Sequence, residues 1–81
     1  MKTLELDVDK SRKPGSWWPV KGGRALWSCP GCGRAAALVP HQIYADGTVL
    51  PSVVCGSCGF HDYVTLDECQ PEVVNSGHPQ I

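Results

Sequence analysis

Two cysteine pairs, CPGCG at residues 29–33 and CGSCG at residues 55–59, constrain this chain more than any other feature. Both have the form CxxCG and both lead into strand-forming residues, so the sequence writes one local structure twice. Two thiols three positions apart serve as a disulfide, a redox pair or half of a metal cage. Some cross-link is expected, because in a chain of 81 residues a lone apolar core supplies only about 3–5 kcal/mol.

A disulfide framework fits poorly, since five cysteines (Cys29, Cys32, Cys55, Cys58, Cys69) would strand one thiol. The opening MKTLELDVDK sets Glu5, Asp7 and Asp9 where a signal peptide requires an unbroken apolar run. The expectation is a reducing, cytoplasmic setting in which structural disulfides do not persist. No stretch approaches the ~20 apolar residues of a membrane span. A thioredoxin-like redox pair requires a βαβ context, which the pattern lacks.

A metal cage fits better. Tetrahedral zinc takes four thiolates from two CxxC turns on facing hairpins, and rubredoxin-like iron uses the same ligand set. In Cys29-Pro30-Gly31-Cys32, proline presets φ and glycine accepts a positive φ, which predicts a type II turn. Gly33 and Gly59 follow the second cysteine of each pair, where the chain must curl to aim amide N–H groups at the sulfurs. The intervening residues are accounted for by Asp46-Gly47, a hairpin signal between HQIYA and TVLPSVV that calls for positive φ at both positions.

CxxCG, hairpin, CxxCG, strand resembles the zinc ribbon over roughly residues 24–66, and the stretch DGTVLPSVVCGSCGFHDYVTL is similar to small phage-encoded ribbons. The resemblance implies a small all-β, metal-stabilised domain: a three-stranded antiparallel sheet holding one zinc ion through Cys29, Cys32, Cys55 and Cys58. It implies little about function, because ribbons occur in transcription factors, polymerase subunits, primases, topoisomerases and ribosomal proteins. The hairpin tip carries only Asp46, whereas elongation-factor ribbons carry an acidic pair there.

Around that unit the chain divides into an N-terminal strand (1–9), a basic Trp-containing arm (10–23) and a flexible C-terminal tail (67–81). Leu4, Leu6 and Val8 alternate with Glu5, Asp7 and Asp9, the period of a half-buried strand. KSRKPGSWWPVKGG has no period and reads as a loop. RALWS and RAAALVPHQIYA read as strands, the second broken by Pro40, and FHDYVTL as the last strand.

Charge is segregated. All seven basic residues precede residue 35, giving that part a net +4 against Glu5, Asp7 and Asp9; the remainder is −5 with no Lys or Arg. Such polarity concerns partners rather than fold. Arg12, Lys13, Trp17, Trp18, Lys21, Arg24 and Arg34 form the candidate partner-binding set: cations for phosphates, and a tryptophan to stack on an unpaired base. Neighbouring tryptophans on an extended chain face opposite ways, so one of Trp17 and Trp18 is expected to be partly exposed or pinned beneath the arm. Trp27, beside the metal turn, is expected to cover the core.

His41, His61 and His78 carry no catalytic pattern, and Cys69 reads as an inert spare. The expected function is therefore non-enzymatic: a zinc-ribbon module acting on nucleic acid or a nucleic-acid machine such as RNA polymerase. The alternative is a protein-binding adaptor or inhibitor, including a phage protein acting on a host enzyme. An iron electron carrier stands third.

Overall fold

The structure, a computed structural model, describes residues 1–39 and 41–76. It contains seven strands: β1 (Lys2–Leu6), β2 (Ser16–Val20), β3 (Arg24–Ser28), β4 (Ala35–Ala37), β5 (Gln42–Ile43), β6 (Thr48–Val54) and β7 (His61–Leu66), then a 3-10 turn at Pro71–Val73. No α-helix occurs among the described residues, so none is long and apolar enough to cross a membrane. The strands form one mixed sheet in the order β4-β3-β2-β1-β7-β6-β5. The expected all-β, metal-compatible class is borne out, but the sheet is larger than the three antiparallel strands the resemblance implied.

Its organisation is two antiparallel meanders, β2-β3-β4 and β5-β6-β7, joined by β1, which runs parallel to both β2 and β7. The alternating pattern that marked β1 holds for Leu4, which is fully buried, but the strand stops at Leu6 and leaves Val8 exposed. At that point the Asp7 carboxylate organises a crossover. It accepts hydrogen bonds from the amides of Ser11 and Arg12, both at 3.2 Å, and from the Arg12 guanidinium at 2.9 Å.

The segment 10–23 read as a loop contains β2. It escaped the strand pattern because Ser16, Trp17 and Trp18 are all buried, so no alternation of apolar and polar residues exists to be seen. Pro19 is tolerated because β1 pairs only as far as Trp17, leaving β3 as the sole strand neighbour of Pro19 among the described residues. Trp17 fills the core and donates its indole N–H to the Asp67 carbonyl at 2.8 Å. Trp18 lies on the opposite face beneath Arg12, whose guanidinium carbon sits 4.1 Å from the ring centroid. Of the two expectations for this pair, the pinned ring is the one observed.

The Asp46-Gly47 hairpin joins β5 to β6 as expected. Its geometry differs: Asp46 keeps a negative φ and only Gly47 is positive, at 92°. Gly47 N–H donates to the Tyr44 carbonyl at 2.9 Å and the Asp46 carboxylate accepts from Thr48 N–H at 2.9 Å. A Cβ on Gly47 would collide with the Leu66 carbonyl oxygen. Gly47→Val is therefore expected to destabilise the fold by about 2 kcal/mol or more, combining the left-handed backbone penalty with displacement of β7. Urea denaturation of the metal-saturated protein checks this, and a midpoint equal to that of the parent would refute it.

The C-terminal segment departs from a flexible tail at least as far as Ser76. Val73 is buried, and Asn75 closes the outer edge of β5, accepting from Ile43 N–H at 2.7 Å and donating its own N–H to the Ile43 carbonyl at 3.1 Å. The rest of the predicted tail, including His78, lies outside the described residues, as does Pro40.

Candidate metal centre

Each CxxC turn closes a hairpin: residues 29–32 connect β3 to β4, and residues 55–58 connect β6 to β7. The sequence repeat is a structural repeat in its backbone hydrogen bonds. Cys29 N–H donates to the Arg34 carbonyl at 2.9 Å and Gly33 N–H to the Cys29 carbonyl at 2.8 Å. In the second turn Cys55 N–H donates to the Phe60 carbonyl at 2.8 Å and Gly59 N–H to the Cys55 carbonyl at 3.0 Å. Gly33 and Gly59 take φ of 79° and 81°, the curl expected of them.

The predicted type II turn at Cys29–Cys32 is not observed, because Gly31 is not among the positive-φ residues. Glycine is needed there for space. A Cβ at Gly31 would sit 3.0 Å from the Cys58 sulfur and 3.7 Å from that of Cys29. The open position also lets Gly31 N–H approach Cys29 Sγ at 3.3 Å.

The four sulfurs of Cys29, Cys32, Cys55 and Cys58 lie within 4.8 Å of one another. Contacts cross between the turns: Cys29 Sγ to Cys58 Sγ is 3.6 Å and Cys32 Sγ to Cys55 Sγ is 3.7 Å. A tetrahedron with metal–sulfur bonds of ~2.3 Å has sulfur–sulfur edges of about 3.8 Å, so these spacings suit a metal ion. They are far from the ~2.05 Å of a disulfide. The first cysteine of each pair is buried and the second exposed, which places the site at the rim of the core.

In a flat sheet β3 and β7 would stand three strand spacings apart, about 14 Å. Sulfur contacts of 3.6 Å and 3.7 Å therefore require the sheet to curl. The curl encloses Leu4, Trp17, Trp27, Val49, Val53 and Val64. Trp27 also meets Phe60 at 6.0 Å between ring centroids, so it covers the core as expected. A metal here would staple the two ends of the curl.

Cys55 is poised to be a thiolate: the amides of Cys58 and Ser57 hydrogen-bond its sulfur and lower its pKa from 9.0 to about 6. A group whose folded pKa lies below its unfolded value stabilises the fold fully above the unfolded value and loses that contribution as pH falls through the folded one. Metal binding adds to the trend, because protons compete with the ion for each sulfur. Acidification from pH 8 should therefore release the ion, with unfolding in step. Chromogenic metal release followed alongside circular dichroism checks this; release that grew with rising pH would refute it.

Cys69 stands apart, half-buried, with its thiol directed at the Tyr44 carbonyl at 3.8 Å. Burial and the nearby Asp46 push its pKa up, which keeps it protonated and inert. His61 accepts or donates a 2.8 Å bond with Ser52 Oγ, and the His41 Nε2–H donates to the Ser52 carbonyl at 3.1 Å; neither lies in the cysteine cluster.

The candidate partner-binding residues are not brought together as one arm. Trp17 and Trp18 are buried, with 0% and 6% of their surface exposed, so neither ring is free to stack on a base in this conformation. Arg12 is held by Asp7 at 2.9 Å. Lys13 makes only a loose, exposed pair with Glu5 at 3.7 Å, a contact of little energetic weight. Lys21, Arg24 and Arg34 remain exposed at strand ends and turns. Compared with protein-family models, with curated proteins and with solved structures, the chain matches none.

Proposed function

We propose that this chain is a zinc-stabilised, non-enzymatic adaptor of the zinc-ribbon kind that docks on a protein, with a component of the transcription or replication machinery as the expected host. The zinc assignment draws on the four-thiolate set, which suits a closed site whose task is folding. Four sulfurs saturate a tetrahedral ion and leave no position for water or substrate, which supports a structural role over catalysis. Iron in the same cage would declare itself by visible absorption.

One observation carries the protein-binding reading over the nucleic-acid one: the burial of Trp17 and Trp18 together with the pairing of Arg12 and Asp7. These are the residues that base stacking and part of the phosphate contact require. The exposed Lys21, Arg24 and Arg34 keep nucleic acid as the second reading.

Pull-down from lysate with and without nuclease, paired with titration of a labelled single-stranded oligonucleotide at two salt concentrations, separates the two. The adaptor reading expects capture that survives nuclease and no tryptophan quenching. Salt-sensitive binding, losing a slope of ~0.7 per phosphate contact removed, would transfer the assignment to nucleic acid.

A further inference from the structure

The two outer edges of the sheet are treated differently. At β5 the N–H and C=O of Ile43 are both taken by Asn75. At the other end β4 has no strand beyond it among the described residues. Its pairing leaves a specific set of groups unused. Cys29 N–H bonds the Arg34 carbonyl and Leu38 N–H bonds the Ala25 carbonyl, so in the β3/β4 register the hydrogen-bonded positions of β4 are 34, 36 and 38. Ala35 and Ala37 therefore turn their N–H and C=O groups outward. Natural edges are usually blunted by charge, proline or cover. Residues 35–39 read AAALV, with no charge and no proline.

A cleft of about 260 Å³ adjoins this edge, lying between β4 and the far end of β6. Its apolar lining includes Trp27, Ala37, Val39, Val53 and Val54, and Val39 and Val54 are 56% and 60% exposed. β5 pairs only with Val49 and Leu50, so residues 51–54 of β6 also lack a strand neighbour on that side among the described residues. The cleft falls below the ~300 Å³ at which pockets for small organic ligands begin, and suits one or two aliphatic side chains instead.

Charge identifies the occupant. Arg34 lines the cleft and precedes β4, and Arg24 opens β3 next to the other end of β4. Neither side chain has an ion pair or hydrogen bond among the described residues. No acidic residue lines the cleft.

We propose that β4 is a docking edge for an extended peptide of a partner protein, an uncharged apolar segment flanked by carboxylates. The segment adds as a strand through the outward groups of Ala35 and Ala37, places one or two aliphatic side chains in the cleft and meets Arg34 and Arg24 at its ends. Main-chain hydrogen bonds give such a complex its affinity, while the pocket and the end charges give its specificity. This inference rests on the adaptor reading above and adds its surface and the chemistry of its partner.

The test uses the metal-loaded full chain with two synthetic peptides, EVTVTVE and its basic counterpart KVTVTVK, followed by NMR titration. The expected result is binding of the acidic peptide with shifts confined to residues 34–39 and 53–57, and weaker or no binding of the basic one. Arg34→Glu should weaken the acidic peptide by about tenfold or more and improve the basic one. Ala37→Pro should abolish binding while keeping metal content and spectral dispersion, because that N–H is not used by β3. Absence of binding by the parent, equal affinity in both variants, or shifts elsewhere would overturn the edge while leaving an adaptor with another surface. An oligonucleotide that displaces the peptide from the same residues would overturn both readings. A dimer that Ala37→Pro dissociates and the peptide does not would assign the edge to a second copy of the chain, against the proposal.

Discussion

Removing the metal, or replacing Cys32 or Cys58 by serine, is expected to unfold the domain outright. The four sulfurs join the β3/β4 hairpin to the β6/β7 hairpin, which the strand order separates by β2 and β1. Without an ion, nothing among the sulfurs holds the curl except weak thiol contacts of 3.6 Å and 3.7 Å. A structural zinc contributes on the order of 10 kcal/mol, which exceeds what a core of this size supplies. Loss of either exposed thiolate also leaves the two buried cysteines, Cys29 and Cys55, in an incomplete cage. Cys69→Ser is the matched control: its thiol lies outside the cluster and makes only long contacts at 3.8 Å and 3.9 Å. Its melting transition should stay within about 0.5 kcal/mol of the parent. NMR dispersion in excess chelator is the deciding measurement, and native dispersion retained there would refute the metal-dependent fold.

The metal centre was legible in the sequence because its parts are local. A CxxCG turn is specified within five residues, and the identical hydrogen-bond pattern of the two turns shows that little outside them is needed to shape it. Gly31 shows the limit of that reading: glycine was recognised as required, but the requirement is clearance from the Cys58 sulfur, a residue on another hairpin, and not a positive φ. The Asp46-Gly47 hairpin behaves similarly. Turn residues located it, but not the negative φ at Asp46 or the docking of Gly47 against Leu66 on β7. What could not be read was the sheet's interior. β1 and β2 pair in parallel across a crossover set by the Asp7 carboxylate, and no local period signals a pairing of that kind. The open edge at β4 was equally hidden, since AAALV declares itself an edge only once Asn75 is seen closing the other one.

Trp17→Ala is the second large effect expected, and it decides whether residues 10–23 are arm or core. An arm tryptophan would be a surface residue, and its truncation would move stability by no more than about 0.5 kcal/mol. Trp17 instead has none of its surface exposed, stands opposite Leu6 on β1 and Trp27 on β3, and donates to the Asp67 carbonyl at 2.8 Å. Truncation empties the middle of the curl and removes the bond to the Asp67 carbonyl, so the cost should reach about 3–5 kcal/mol at saturating metal. Trp18→Ala should cost less. Its ring is covered by Arg12 at 4.1 Å, an exposed cation–π contact worth ~0.5–1 kcal/mol beyond the area it buries. Urea midpoints of both variants, read with metal content held equal, give the comparison. If Trp17→Ala melts like the parent while Trp18→Ala abolishes oligonucleotide binding, β2 is a mobile arm after all and the nucleic-acid reading regains its stacking residue. A Trp17 cost several-fold above that of Trp18 places the first ring in the core, and leaves the basic residues near it to act through charge alone.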